Sequence, residues 1–252
     1  MFRNLFGFGK KKIEKEQTKL AEKFGCTYTY FPVSTDIKKV LSAFKNDLDE
    51  CKKEGTFVPV ILVSSDRIEE MIDFEDYDKD KLLNESIVDG GELLAKRLES
   101  QKQFFEEYEP EINWDEEYIG EMTGGEIMEP FISFKDDLNK INMPMLLLRI
   151  PVKNPWEVFA YIPFGGWNEC PAPAEQMAVC KYWHEKHGAW PLAIADDVLE
   201  YYIEKPVGSE EAMALASEQY AFCNDLIDQG FESIGFLADS IRKSKYWSFW
   251  WD

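Results

Sequence analysis

The stretch 163–171 combines residue types that could bind a polar ligand. Two consecutive glycines permit a tight turn, and Trp167, Asn168 and Glu169 follow them just before a predicted helix N-terminus. The amide and the carboxylate could hold a polar ligand, and the free N–H groups of the helix could help to bind an anion. The same residues could instead form a structural corner, with the tryptophan buried and the polar side chains bonded to backbone amides. No lysine follows the glycines as it does in a phosphate-binding P-loop.

A second group of reactive side chains lies on the helix predicted over 173–187. Cys180 and His184 are four residues apart, so one helix face could present a thiol and an imidazole to zinc or to a substrate. Cys180 also falls on an apolar stripe of this helix, which favours a place in the core. His187 follows His184 one residue too early for the zinc motif H-E-x-x-H. We therefore expect no metal site and no cofactor.

Carboxylates cluster further along the chain, at Glu218, Asp225 and Asp228. Two of them buried together could act in acid–base catalysis. Exposed helix positions and an Asx turn near Asn224 also account for them, and we favour that interpretation. The candidate ligand or partner site from these patterns consists of Trp167, Asn168, Glu169, His184 and Asp228, and no catalytic residue is assigned.

The elements that must position these residues follow from the hydrophobic pattern. A strand over 27–33, an amphipathic helix from Ile37 and an apolar strand over 57–63 predict a β-α-β unit. The pattern next predicts a helix over 82–105, a solvated loop over 106–125 and strands over 145–150 and 156–163. Further elements are predicted as helices over 173–187, 209–223 and 231–240 and as strands over 190–194, 198–203 and 246–252. We expect an α+β fold, with a mixed sheet flanked by helices and the C-terminal aromatic strand completing the core.

Charge and composition suggest three parts of the chain. Residues 1–24 form a basic tail, 25–150 hold the β-α-β part with an acidic excursion at 66–140, and 151–252 form a C-terminal α+β domain. Residues 64–140 carry 24 acidic and 8 basic side chains, most of the net charge of −20. This field repels nucleic acids and anionic membranes and attracts basic proteins. We expect a basic protein as the partner, no nucleic acid and no stable membrane association.

The five cysteines indicate a reducing compartment. Their number is odd and no C-x-x-C pair occurs, which argues against a disulfide framework. No apolar run reaches the ~18 residues that a membrane span requires. We expect a cytoplasmic protein.

Several C-terminal segments resemble a known bacterial family. They are P-F-G-G-W-N-E-C-P at 163–171, W-H-E at 183–185, the helix from Glu211 to Cys223, D-Q-G at 228–230 and the terminal tryptophan cluster. In this order they resemble the family called domain of unknown function 4253, closely over 155–252 and loosely over 30–63. The resemblance implies a cytoplasmic bacterial protein and no particular reaction.

Two classes of function remain in competition at this stage. The first is a non-enzymatic protein-binding module, immunity- or antitoxin-like, that uses the acidic excursion as its binding face. The second is an enzyme of unknown reaction, with a pocket made by the 163–171 loop, His184 and Asp225/Asp228. A concave pocket that joins these groups favours the enzyme, and their dispersal into separate packing roles favours the binding module. A structural role in a larger assembly is a third possibility.

Overall fold

The computed structural model describes residues 18–63, 66–74, 77–109, 111 and 113–252. Its helices are α1 (18–24), α2 (Ile37–Glu54), α3 (Asp66–Ile72), α4 (Lys79–Asn84), α5 (Gly90–Tyr108), α6 (Pro173–His187), α7 (Ser209–Phe222) and α8 (Ile234–Ile241). Its strands are β1 (Thr27–Phe31), β2 (Val58–Leu62), β3 (Met145–Ile150), β4 (Trp190–Ile194), β5 (Val198–Tyr202) and β6 (Tyr246–Trp250). Most of the predicted basic tail, 1–17, lies outside the described residues. No helix in the described ranges has the length and apolarity to cross a bilayer.

The strands form one mixed sheet in the order β1-β3-β2-β4-β5-β6. β2 and β4 run parallel, and every other neighbouring pair runs antiparallel. The predicted α+β fold is therefore confirmed, and the C-terminal aromatic strand lies in the sheet as expected. The three strands up to residue 150 form one half of the sheet and the three later strands form the other, and the parallel pair β2 and β4 joins the two halves.

Helices cover both faces of the sheet. On one face α2 packs its buried stripe, which includes Phe44, against Tyr202, with ring centroids 6.1 Å apart. On the other face Trp183 of α6 contacts Tyr201 at 5.7 Å and stacks on Phe249 of β6 at 5.5 Å. Because side chains alternate along a strand, consecutive residues of β5 serve opposite cores. The sheet is the shared centre of two hydrophobic layers.

The prediction of a strand over 156–163 is wrong. Residues Pro155–Ala160 form a 3-10 helix whose apolar residues Val158, Phe159 and Ala160 are fully buried. Proline occupies its first turn, and the carboxylate of Glu157 accepts hydrogen bonds from the backbone and side-chain nitrogens of Asn154. This capping arrangement begins a helical turn and overrides the strand-like alternation.

The acidic middle is also different from the prediction. The helix predicted over 82–105 is two helices, α4 and α5, and the side chain of Asp89 caps the second by accepting a hydrogen bond from the amide of Glu92. The prediction of a loop over 106–125 is wrong in its secondary structure, because α5 extends to Tyr108 and a π-helical turn follows at Trp114–Ile119, although most described residues of this segment are exposed as expected. Aromatic burial explains the difference: Trp114 and Tyr118 stack at 4.8 Å, and each ring lies 5.8 Å from Tyr220 of α7.

A buried carboxylate on β5, that of Glu200, binds the backbone of the segment around Phe131, which follows the π-helical turn in the chain. Glu200 is 1 % exposed and accepts hydrogen bonds from the amide of Phe131 at 2.8 and 3.0 Å. Phe131 has a φ of 57°, a conformation that a phenylalanine rarely adopts. Burial raises the pKa of Glu200 to about 8, although the amides of Phe131 and Ile132 and the charge of Lys135 oppose the shift. The carboxyl group therefore stabilises a strained turn and resists ionisation.

We predict that Glu200 makes the stability depend on pH. Its folded-state pKa of about 8 exceeds the ordinary value of 4.5, so the folded protein holds a proton that the unfolded chain releases. The free energy of unfolding should therefore fall as pH rises from about 5 to about 8, by roughly 1.4 kcal/mol for each unit of pKa difference. Urea unfolding of the wild type and of Glu200→Gln across this range measures the effect. The two half-buried histidines titrate in both proteins, so their contribution cancels when the two stability curves are subtracted. Stability curves of the wild type and the variant that run parallel across this pH range would refute the assignment.

We predict that Phe249 is a major source of stability. The ring is fully buried and stacks on Trp183, so Phe249→Ala should leave a cavity and cost about 3–5 kcal/mol of unfolding free energy. Ser248→Ala, on the half-buried opposite side of the strand, is the matched control and should change stability by less than about 1 kcal/mol. Chemical denaturation of both variants tests the difference. Equal losses in the two variants would show that β6 is not packed as described.

Candidate functional site

The 163–171 loop is a closed turn that only glycine permits at its first corner. Gly165 has a φ of 100°, and a Cβ atom there would lie 1.8 Å from the carbonyl oxygen of Pro171. The amide of Gly166 donates to Cys170 O at 3.1 Å, and the amide of Cys170 donates to Trp167 O at 2.9 Å. These bonds fix the direction in which the three candidate side chains of the loop point.

Trp167 and Asn168 take up contacts with other parts of the chain. The Trp167 ring lies 5.1 Å from the ring of Phe164, and the guanidinium of Arg67 lies 4.5 Å from its centroid. The Asn168 amide donates a hydrogen bond to the backbone oxygen of Asp252, the last residue of the chain. Both side chains therefore join the loop to its neighbours. The structural-corner interpretation expected a buried tryptophan and bonds to backbone amides, whereas Trp167 is half-buried and Asn168 bonds to a carbonyl oxygen.

Glu169 lies at a cleft of about 550 Å³ that we call the α5 cleft. One wall is the exposed side of α5, and the opposite wall is formed by the 163–171 loop, α7 and the residues that follow α7. Among its lining residues are Lys96, Arg97, Gln101, Phe104, Phe105, Glu169, Tyr220, Asn224 and Asp228. The volume is typical of a ligand-sized site. The cleft thus brings together two of the five candidate residues, Glu169 and Asp228.

Arg97 connects the two walls of the α5 cleft. Its Nε donates to the carbonyl oxygen of Ala221 at 2.9 Å, and its Nη2 donates to the carbonyl oxygen of Glu169 at 2.7 Å. One guanidinium therefore holds α5, the end of α7 and the loop at fixed separations, since its donors form a planar fork. The carboxylate of Glu169 remains exposed to solvent.

Asp228 lies among aromatic hydroxyls at the other end of the cleft. Burial raises the pKa of Asp228, and the hydrogen bond from Asn224 at 3.1 Å opposes this. Burial also raises the pKa of Tyr118 to about 12, with a further contribution from the negative charge of Asp228. The phenol of Tyr118 therefore stays protonated at neutral pH, where it can donate a hydrogen bond and cannot act as a base.

His184 lies away from the α5 cleft, in an aromatic setting. Its ring centroid is 4.7 Å from that of Trp190 and 5.9 Å from that of Trp156, and Nδ1 is 3.0 Å from the carbonyl oxygen of Ala189. Burial lowers the pKa of His184 and raises that of the fully buried Cys180, so both groups are neutral at pH 7. A neutral thiol is a poor nucleophile.

The late carboxylates have separate partners. Glu218 accepts hydrogen bonds from Trp183 Nε1 at 3.1 Å and from the Tyr182 hydroxyl at 2.8 Å, on the α6 side of α7. Asp225 accepts from the amide of Asp252 at 3.2 Å, which places it beside the chain end that also binds Asn168. The 163–171 loop and the Asp225–Asp228 segment are therefore neighbours, but Glu218 and Asp228 do not form a buried acid pair.

The lining of the α5 cleft provides groups for polar and aromatic contacts. It offers charged, amide and aromatic groups, and its lining within the described residues contains no histidine or cysteine. The described part of the chain also contains no group of three or more His, Cys, Asp and Glu side chains placed to hold a metal ion. Hydrogen bonding and cation–π contacts are the interactions that these residues provide.

Sequence reasoning missed the α5 wall of the cleft. Four residues of this wall lie on one side of α5, because about two helical turns separate one pair from the other. They are Lys96, Arg97, Phe104 and Phe105. The signal that could have found them is the aromatic pair Phe104-Phe105 within an acid-rich helix. Phe104 is 51 % exposed, which is unusual for so large an apolar side chain.

Comparison with known proteins supports the resemblance seen in the sequence. A protein-family model described as Domain of unknown function (DUF4253) matches residues 146–252, from β3 to the C-terminus. The match confirms the resemblance over the C-terminal segments, and 30–63, where the likeness is loose, lies outside it. It covers less than half of the chain. Comparisons with curated proteins and with solved structures found no significant match.

We predict that Arg97 supports the cleft structurally. Arg97→Met keeps the apolar stem but removes both donors, so the carbonyls of Ala221 and Glu169 lose their charged partner. The expected cost is about 2–3 kcal/mol of unfolding free energy, together with faster amide exchange at Gly166 and Cys170.

Lys96→Met is the matched control, because Lys96 is the exposed neighbour of Arg97 and also lines the cleft. It should leave both the stability and the exchange rates close to the wild type. Unchanged loop exchange in Arg97→Met would contradict the bridging role.

Proposed function

We propose that this chain is a non-enzymatic protein-binding module, immunity- or antitoxin-like, that recognises a basic segment of its partner. The binding face is an acidic-aromatic surface at the end of α5, next to the α5 cleft. We define this surface by Phe104, Glu106, Glu107, Tyr108, Glu109, Glu111, Asp115, Glu116 and Glu117. The reducing setting implied by five free cysteines supports a cytoplasmic location for this binding.

The observation that carries the proposal is the combination of unpaired charge with exposed aromatic rings. None of the seven carboxylates on the surface forms an ion pair with another described residue. Phe104 and Tyr108 are 51 % and 63 % exposed, with ring centroids 5.0 Å apart. Uncompensated charge destabilises a folded chain by self-repulsion and steers oppositely charged partners toward it. Exposed aromatic rings are enriched at protein interfaces.

The physical fit is to arginine and lysine side chains. The carboxylates would attract a basic segment over several ångströms, and the Phe104 and Tyr108 faces would contact guanidinium or ammonium groups by cation–π interactions. The cleft adds a hydrogen-bond acceptor, because the buried Oε1 of Gln101 has no partner among the described residues. Buried polar atoms are usually satisfied, so an N–H donor from a partner fits this position.

The binding module is favoured over the enzyme by the dispersal of the candidate residues. Glu169 and Asp228 line the α5 cleft, whereas Trp167 and Asn168 pack against Arg67 and the chain terminus, and His184 lies in a separate aromatic cluster. Acid–base catalysis requires its groups around one substrate, and nucleophilic catalysis requires a base within hydrogen-bond reach of the nucleophile.

We predict that removing four charges from the surface slows association with a basic partner. The variant carries Glu106→Gln, Glu107→Gln, Glu109→Gln and Glu111→Gln. Association at low salt should be at least about tenfold slower, with a smaller change in dissociation, because charge acts mainly on the encounter rate. Affinity capture from the native cell at low salt, followed by quantitative mass spectrometry and binding kinetics with the captured protein, makes the measurement.

The matched control removes four charges elsewhere on the molecule. It carries Glu22→Gln, Asp49→Asn, Glu54→Gln and Asp137→Asn, at exposed positions outside the surface. The control should bind the partner nearly as fast as the wild type does. The proposal fails if no basic protein is captured, if binding is independent of salt, or if the two quadruple variants lose association rate equally.

A further inference from the structure

A second cleft, of about 480 Å³, has the opposite charge to the rest of the molecule. It lies between the start of α2, the segment 127–139 and residues 243–246 at the start of β6. Among the described residues, four lysines line it, Lys38, Lys135, Lys243 and Lys245, and Glu129 is the single carboxylate. The chain as a whole has 48 acidic and 28 basic residues, so this local excess of positive charge runs against the composition. We call it the lysine cleft.

Two of the four lysines form ion pairs with neighbouring carboxylates, and the other two can bind a ligand. Lys135 bonds to Glu129, and Lys243 donates to Asp239 at 2.7 Å. Lys38 and Lys245 are exposed, and neither forms an ion pair with another described residue. Two ammonium groups, contributed by parts of the chain about two hundred residues apart, therefore line one concavity without a direct ion-pair partner among the described residues, although the carboxylate of Glu204 lies close enough to interact with the charge of Lys245. An anion is the ligand that satisfies both.

Apart from the polar side chain of Asn139, the remaining lining of the lysine cleft is mainly apolar. Its apolar members are Ile37, Leu41, Ile127, Met128, Pro130 and Tyr246. Ile127 is 67 % exposed although it lies beside the buried segment at Phe131, so its apolar surface is available to a ligand. A simple inorganic anion would leave this surface unused. The chemistry fits a ligand with an apolar body and an anionic group.

The wall that carries Ile127 is fixed in place before any ligand binds. The amide of Glu126 donates to Ser240 Oγ at 3.1 Å, and the amide of Met128 donates to Ser244 Oγ at 2.7 Å. Glu200 holds Phe131 from the sheet, as described above. Since buried acceptors fix the backbone on both sides of Ile127, binding would require little ordering of this segment.

We propose that the lysine cleft binds a small organic anion, one that joins a carboxylate, sulfonate or phosphate group to an apolar body of one or two rings. Lys38 and Lys245 pair with the anionic group, and Leu41, Ile127 and Tyr246 contact the body. This site is independent of the acidic-aromatic surface, from which it differs in its elements, its charge and its ligand.

The test compares two dyes that share an apolar body and differ in charge. 8-Anilinonaphthalene-1-sulfonate carries a sulfonate, and N-phenyl-1-naphthylamine is its uncharged counterpart. Fluorescence titration and calorimetry of the whole chain should show saturable 1:1 binding of the sulfonate dye. In the double variant Lys38→Gln/Lys245→Gln its affinity should fall about tenfold or more, as expected for two lost charge-assisted contacts. Affinity for the neutral dye should stay within about twofold.

Two further variants locate the binding. Lys39→Gln/Lys205→Gln removes the same charge from exposed positions outside the cleft and should leave the affinity for the sulfonate dye unchanged. Ile127→Asp places a negative charge on the exposed apolar wall and should abolish binding while the protein remains folded by circular dichroism. The proposal is overturned by non-saturable binding, by equal losses in the two lysine double variants, or by a neutral dye that binds as tightly as the sulfonate dye.

Discussion

The indole of Trp183 is the contact on which the C-terminal architecture depends. Its ring meets Phe222 of α7, Trp247 and Phe249 of β6 and Tyr201 of β5, all within 5.7 Å. Its Nε1 donates to Glu218, so the polar end of this fully buried side chain is satisfied. One side chain therefore sets the positions of α6, α7 and two strands. The loop that precedes α6 and the segment that follows α7 form one wall of the α5 cleft, and their separation follows from this packing.

Local patterns in the sequence were sufficient for much of the fold. The bounds predicted for α6 are those observed, because Pro173 begins that helix and Gly188 ends it in a left-handed conformation. The β-α-β unit and the terminal strand were likewise predicted from periodicity. The pattern failed at Pro155–Ala160, where burial on every side removes the polar positions that distinguish a helical turn from a strand. It also failed after Tyr108, where charge suggested solvent but Trp114 and Tyr118 pack against α7.

The candidate sites were less predictable because they depend on convergence between distant segments. Glu169 and Asp228 were chosen for their chemistry, and they do line one cleft, but the opposite wall comes from α5, a segment that was predicted to be helical and supplied no candidate site residue. The lysine cleft is a stronger example, since Lys38 and Lys245 are unremarkable in their own sequence neighbourhoods. A net charge of −20 describes the whole chain and conceals the local reversal of sign.

The place of β2 between β3 and β4 has a consequence for the order of events during synthesis. Ile61 pairs with Ala193, so the parallel contact at the centre of the sheet joins segments that leave the ribosome far apart in time. β1, β2 and β3 can pair with one another early, but the inner edge of β2 has no strand to bind until β4 has been made. A nascent chain with an unpaired apolar edge attracts other strands, and a chaperone that shields such edges would serve this topology. The speed of translation through residues 151–190 then becomes a determinant of yield.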